Sequence, residues 1–302
     1  MNKNDYFNKI VSLDFDSTRL DYWLKKNFPN SSYVLFCKLT RKGVIRINSS
    51  RAKLSDKLKG NDKIKISKIL INENLKNQEH KFPHEYKKKI SEWIIFKNKN
   101  FILFNKPSGV AVQGGTKIGF NIDTALSAFT SETGEKPKLV HRIDKDTSGL
   151  LLIARNLKYA RYLTSLFRDK EITKTYLAII FGKIEHDYAI IDLPIEVEAK
   201  KCECKTLYKV VDKKDNFSLI ALKPITGRKH QIRRHLYTLK CPILGDKKFD
   251  IIYKNNHLIK RFTNNLNLHA YKVSFKDMDN KLFNFEAYPP NFFMENINEL
   301  EL

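Results

Sequence analysis

The apolar residues of this chain arrive in short runs bounded by turn formers, and that arrangement limits the fold more than any other feature. Gly149-Leu-Leu-Leu-Ile-Ala154 and Ala178-Ile-Ile-Phe181 are clear examples. Such runs have the length of buried strands, whereas a membrane-spanning helix needs about 20 apolar residues. Membrane insertion is excluded on length alone, and a sheet is expected to supply the core. With 42% apolar and 12% aromatic residues among 302, the chain can fill such a core. At 29% charged it lacks the composition of a disordered segment. One large domain, or one with a small satellite, suits this length.

The first quarter has a different character. Residues 1–75 hold 16 Lys/Arg and 7 Asp/Glu, so 16 − 7 = +9. Thr18 is placed to cap a helix with Leu20, Trp23 and Leu24 on one face. Pro29-Asn30-Ser31-Ser32 breaks that helix and caps a second, with Val34, Leu35 and Leu39 inward. Gly43, after Arg41-Lys42, stops the second helix. Val44–Asn48 and Lys63–Ile66 alternate as short strands, the latter after a turn at Gly60-Asn61. Two helices and a small basic-edged sheet make a binding module too poor in catalytic residue types to be an enzyme. A polar stretch follows, and residues 76–92 read as a linker. The second domain is expected over 93–302.

In that domain Trp93–Phe96 and Phe101–Phe104 form strands across a turn, and Gly149–Ala154 is a third. Asn156 caps a helix whose apolar face is Tyr159, Leu163 and Leu166-Phe167. Thr175–Phe181, Thr206–Val211 and Phe217–Leu222 are strands. Lys229–Leu239 is a helix carrying Ile232, Leu236 and Leu239 at i, i+4 and i+7. Strands outnumber helices and partly form hairpins, so the expected class is α+β with a mixed, mainly antiparallel sheet.

The charge points to a polyanion. Lys plus Arg number 56 against 33 Asp plus Glu, a net +23, which suits nucleic acid. Arginines are few and clustered, at Arg41, Arg46 and Arg51 and again at Arg142, Arg228, Arg233 and Arg234. The fork-shaped guanidinium suits phosphate and carboxylate, so these clusters suggest sites. Four cysteines are too few for a disulfide framework. Met1–Asp5 leads into no apolar signal core, so a cytoplasmic protein is expected.

Three stretches are rich enough in polar groups to carry chemistry. Leu139–Gly149 puts Asp144 and Asp146 beside His141, Arg142 and Lys145 in a loop feeding an apolar strand, where catalytic groups usually reside; the same residues also suit a plain turn. Lys223–His235 places Gly227 and several cations at a helix start. His230 and His235 are five apart, not the four that would put two ligands on one helix face, so zinc is not expected. Arg233 follows core-facing Ile232 and can point along the buried side toward a carboxylate. Asn105–Gly115 is a strand end with a Gly-rich loop that lacks the P-loop order. No Ser or Cys has a nucleophile's context, which leaves an Asp for covalent work.

Together these stretches resemble the large-subunit ribosomal RNA pseudouridine synthases of the RluA/RluC/RluD type. The matching motifs are Asn105-Lys-Pro-Ser-Gly109, His141-Arg-Ile-Asp-Lys-Asp-Thr-Ser-Gly149, Lys174-Thr-Tyr-Leu-Ala178, Pro224–Arg233 and Pro242-Ile-Leu-Gly-Asp246. Residues 16–66 resemble an S4 RNA-binding domain through Arg19-Leu-Asp21, Lys38–Gly43, Ile45–Asn48 and Gly60–Ile66. Thr40–Lys53 and Gly114-Gly115 are most similar to the synthase C branch. Ile143, Lys229 and Asn61 stand where the family usually has Leu, Thr or Ser, and Gly.

The resemblance implies isomerisation of uridine to pseudouridine in 23S ribosomal RNA or its precursor particles, after flipping of the base. It implies no cofactor and no metal. Asp144 would be the catalytic carboxylate, attacking the base, attacking C1′ or removing the C2′ proton. Arg233 would pair with it and Tyr176 would pack on the uracil. Arg142, His141, Arg228 and Lys106 would bind substrate, and Arg41, Lys42, Arg46 and Arg51 would contact RNA from the S4-like domain. A monomer is expected. The rival readings are a synthase of the same fold acting on tRNA or another rRNA site, and a non-catalytic S4 ribosome-assembly protein.

Overall fold

A computed structural model describes residues 6–29, 31–71, 84–114, 120–130, 135–197, 200–249, 259, 261–262 and 264–302. The chain divides into two compact units, Met1–Phe82 and Pro83–Leu302.

The first unit contains β1 (Tyr6–Ile10), α1 (Leu20–Asn27), α2 (Tyr33–Arg41), β2 (Arg46–Ile47), β3 (Ser50–Arg51) and β4 (Lys63–Ser67). Its antiparallel sheet runs β1-β4-β2-β3. Leu20, Trp23 and Leu24 of α1 meet Phe36 and Leu39 of α2 and Ile64 and Ile66 of β4 in one buried cluster. Ser32 caps α2, its hydroxyl accepting from the Leu35 N–H at 3.1 Å. Gly43 follows that helix at φ +66, while Asn30 of the expected break lies outside the described residues. Two expectations are corrected, and one strand was not anticipated. Arg19, not Thr18, occupies the cap of α1, because the Thr18 hydroxyl turns back to the Phe15 carbonyl. Val34 is 61% exposed, and Phe36 takes the inward position instead. β1 went unseen because only Tyr6 and Phe7 are even half-buried in it.

The second unit opens with α3 (His84–Ser91), where a linker was expected. Ile90 is fully buried, and one such residue among polar neighbours is too little periodicity to read from sequence. Residues 76–83 of that expected linker lie outside the described residues. The other elements are β5 (Ile94–Lys97), β6 (Phe101–Lys106), α4 (Ile122–Ala125), β7 (Lys138–Leu139), β8 (Ser148–Ala154), α5 (Leu157–Arg168), β9 (Thr173–Phe181) and β10 (Tyr188–Asp192). They continue with β11 (Ile195–Val197), β12 (Lys200–Cys202), β13 (Lys205–Lys214), β14 (Phe217–Pro224), α6 (Gln231–Thr238), β15 (Leu268–Lys276), β16 (Leu282–Glu286) and α7 (Asn291–Leu300). The main sheet runs β10-β13-β14-β9-β15-β8-β6-β5, with β16 on β15 and β7 on β8. Every pairing in it is antiparallel except β15 with β8. The architecture is therefore α+β with a mainly antiparallel sheet.

The two-residue period of β9 separates two cores. Ala178 and Ile180 pack with Ile232 and Leu236 of α6 on one face, and Ile179 and Phe181 pack with Phe293 and Leu300 of α7 on the other. Tyr176 has the parity of Ala178, so it shares the α6 face. Leu239, expected on that helix's apolar stripe, is 36% exposed just past its end. Among the described residues no helix is long and apolar enough to cross a membrane.

Candidate active site

The Asp144 loop enters the sheet at its one parallel junction. Ser148 and Gly149 at the start of β8 pair with His269 and Ala270 of β15. Gly149 has φ +103, and a Cβ there would sit 2.7 Å from the Ala270 nitrogen and closer still to its carbonyl oxygen. Only glycine allows the two backbones to approach this closely. His269 is fully buried; its Nε2 faces the Ala287 carbonyl at 2.9 Å and must carry the hydrogen, so Nδ1 accepts from the Ser148 hydroxyl at 2.9 Å. Burial takes this imidazole down to about 4, and it is neutral.

Two further contacts hold the loop from the β6 side. The fully buried Lys106 ammonium donates to the carbonyls of Pro107, Val110 and Lys145 at 2.8, 3.0 and 2.9 Å. Three acceptors match its three N–H groups, although burial brings its pKa down to about 7 against the pull of Asp146 and Asp144. Ser108 donates to the Asp146 carbonyl at 2.7 Å. Lys106, expected to bind substrate, instead staples two loops together and does not line the cleft.

Helix α6 supplies the opposite wall. Arg233 is almost fully buried and forms a two-pronged pair with Asp246, Nε to Oδ2 and Nη2 to Oδ1, both at 2.7 Å. Its remaining Nη1 reaches Asp144 Oδ2 only at 3.5 Å. The expected pairing of Arg233 with Asp144 is thus its secondary contact, and Asp246 is the primary one. The near partner of Asp144 is His230, with Nδ1 2.8 Å from Oδ2. Burial alone would raise the Asp144 pKa, but the His230 hydrogen bond and charge, followed by Arg233, hold it below the ordinary carboxylate value. Gln231 locks the preceding loop, accepting from the Thr226 hydroxyl and the Arg228 N–H and donating to the Lys205 carbonyl and the Thr206 hydroxyl.

These groups meet in an open cleft of about 440 Å³, within the usual range for a small-molecule or nucleotide pocket. Asp144, Tyr176, Arg233, His141, Arg142 and Arg228 all line it. Burial, and then the charge of Asp144, push the Tyr176 phenol above its ordinary value, so it is protonated at neutral pH. His141 lies over the Phe167 ring at 4.5 Å, and its Nε2 accepts from the Leu152 N–H at 2.8 Å. Burial, aided by nearby Lys174, takes it down to about 3, so it contributes a neutral wall and no charge. Arg142 and Arg228 are exposed at the cleft. In the first unit Arg41, Lys42, Arg46 and Arg51 are all exposed, and Arg46 and Arg51 are cross-strand neighbours. Gly115 lies outside the described residues.

Sequence reasoning missed two residues. His230 was weighed only as a zinc ligand. Asp246 stood at the end of the Pro242–Asp246 motif with no role. The sequence offers for Asp246 only an acidic residue directly after Gly245; that this glycine sits at φ +77, where a side chain would run into the Asn265 backbone, shows only in the folded chain.

A family model described as RNA pseudouridylate synthase matches residues 100–238. Ribosomal large subunit pseudouridine synthase C of Rickettsia felis is 35% identical over 308 residues, covering 94% of this chain and 97% of that protein. The synthase C of Vibrio parahaemolyticus is 31% identical and covers 90% of each chain. Among solved structures, human RNA pseudouridylate synthase domain containing 4 superposes with a TM-score of 0.60 at 25% identity, covering 71% of this chain and 95% of that one.

Proposed function

The chain belongs to the RNA pseudouridylate synthase family, and from that premise we propose that it converts specific uridines of large-subunit ribosomal RNA to pseudouridine, with Asp144 as the catalytic carboxylate. The reaction breaks the N1–C1′ bond, turns the uracil and rejoins it to C1′ through C5. C5 loses a proton and N1 ends with one, so nothing is oxidised or reduced. The ribosomal target is supported by relatives named for it at 31–35% identity.

One observation carries the assignment of Asp144. Its carboxylate is held below its ordinary pKa at the cleft wall by His230 and Arg233, in the same cleft as Tyr176. Each chemical role open to it, on the base, on C1′ or on the C2′ hydrogen, requires the ionised form. Tyr176, protonated and on the α6 face, is suited to pack on a uracil ring.

Reaching a base inside folded RNA means extruding it, which costs a few kcal/mol. Arg142 and Arg228 stand exposed where phosphates of the extruded strand would pass, and His141 gives that wall a neutral ring. Arg41, Lys42, Arg46 and Arg51 provide a second basic surface that would grip RNA by shape and phosphate rather than by base edges. With recruiting surface and site in one chain, we infer a monomer acting in the cytoplasm.

The experiment is Asp144→Ala assayed on large-subunit rRNA transcripts. RNA binding is expected to persist while pseudouridine falls to background. Turnover by the variant would remove Asp144 from the chemistry.

A further inference from the structure

We propose that His230 is the positioning residue of this site: it holds the Asp144 carboxylate through Oδ2 and leaves Oδ1 free to meet the substrate. The proposal rests on Asp144 being the catalytic group.

Arg233 is already committed elsewhere. Its guanidinium fork is taken by Asp246 on two nitrogens, and the third lies 3.5 Å from Asp144, at the limit of a hydrogen bond. The close hydrogen bond to Asp144 is therefore the one from His230 at 2.8 Å. Among the described residues, Oδ1 has no donor. An ionised carboxylate only accepts, so the hydrogen must sit on His230 Nδ1. The 3.2 Å approach of Arg233 Nη1 to that same nitrogen is then a contact and not a second hydrogen bond.

The backbone of His230 is unusual in a way that serves this arrangement. It lies at φ 55, ψ 27, in the left-handed region, at the N-cap of α6. Residues at N-caps usually turn a side-chain oxygen to the helix N–H groups. His230 makes no such bond and sends its ring to Asp144 instead. That region is disfavoured for a residue carrying a side chain. The turn is fixed by the Gln231 N–H to the Arg228 carbonyl at 3.1 Å and the Arg234 N–H to the His230 carbonyl at 2.9 Å. The imidazole packs edge-to-face with Phe249, ring centroids 6.0 Å apart at 65°. Both side chains are shielded, at 15% and 19% exposure. The charged and titratable groups facing Asp144 are Arg233 on α6, Tyr176 on β9, Lys106 on β6, and Arg142 and Arg228 along the cleft. Of these, Tyr176, Lys106, Arg142 and Arg228 show no hydrogen bond to the carboxylate among the described residues.

Three variants separate the roles of ring and backbone. His230→Gly relieves the left-handed strain but removes the donor. His230→Asn puts an amide N–H close to the position of Nδ1 and tolerates positive φ. His230→Gln places its amide one bond too far. Single-turnover rates and their pH profiles on rRNA transcript are the readout, with RNA affinity measured in parallel. For His230→Gly the rate should fall about 10²-fold, as for a misplaced reacting group, with RNA affinity within about threefold of the parent. The acid limb of its profile should move to higher pH, because Asp144 has lost its main stabilising donor. His230→Asn should recover to within about tenfold of the parent, with the acid limb back near the parental pH, and His230→Gln should not.

Parental rate and acid limb in His230→Gly would overturn the proposal. So would an Asn variant no better than Gln, and that pair decides the matter if the glycine variant fails to fold. Asp144→Ala distinguishes the two readings. An inactive alanine variant beside a fully active His230→Gly sinks the His230 proposal alone, whereas an active alanine variant sinks the assignment of Asp144 itself.

Discussion

At the residue scale, the cleft is set by charges that have lost most of their water. Arg233 and Asp246 are both almost fully buried, and removing one partner of such a pair strands the other. Asp246→Asn is expected to lower stability by about 3 kcal/mol in urea unfolding. Its effect on rate should exceed its effect on RNA affinity, because Arg233 is then freed to swing toward Asp144. A rate unchanged in a correctly folded variant would mean that Asp246 only stabilises the fold. The residue pattern exposed Asp144, Tyr176 and Arg233 through family motifs, yet not the contacts among them. His230 meets Asp144 across 86 residues of sequence, and no local spacing reveals such a meeting. Lys106 misled for a simpler reason. A lysine beside Pro and Gly looks like an exposed cation, and only the folded loop shows three carbonyls closing around it.

At the element scale, the junction of β8 with β15 aligns the site. β15 also carries an irregularity against β9 between Ala270 and Lys272, opposite Tyr176. A bulge bends a strand and re-aims its neighbours, so the same strand adjusts both the Asp144 loop and the Tyr176 strand. Gly149→Ala should separate the two backbones and cost about 3 kcal/mol from clash and positive φ together. The expected signature is a lowered Tm accompanied by a rate loss greater than that of an equally destabilising substitution on the α7 face, such as Phe293→Leu. Equal rate losses would show that the junction serves stability alone. The β5–β6 and β13–β14 hairpins and the cap of α5 were legible because alternation and turn chemistry are local. The parallel pairing was not, since nothing in 268–276 says which strand it will join. Nor was α3, where Ile90 is the one buried residue among those whose side chains are described.

At the scale of the whole molecule, two tryptophans report on two units, Trp23 in the first and Trp93 in the second. None of the eight histidines falls within residues 6–71, whereas neutral His141 and His269 are built into the second unit. Their folded pKa values, about 3 and about 4, lie below the unfolded value. The unfolded chain therefore gains protons first as pH falls, and this contribution is intact above about 6.5 and lost below it. Between pH 7.5 and 5.5 each should cost about 1.4 kcal/mol, about 3 in total. Urea unfolding followed by Trp93 in a Trp23→Phe protein should weaken accordingly, and that followed by Trp23 in a Trp93→Phe protein should weaken much less. Equal shifts would contradict the separation. The central position of β15 has one more consequence, in time rather than in space. During synthesis the first unit can fold early, but Asp144 and Tyr176 lack their shared strand until residues 268–276 have left the ribosome. The growing chain can present a basic surface long before it can react, so translation itself keeps the enzyme inert until the strand at 268–276 has emerged and paired.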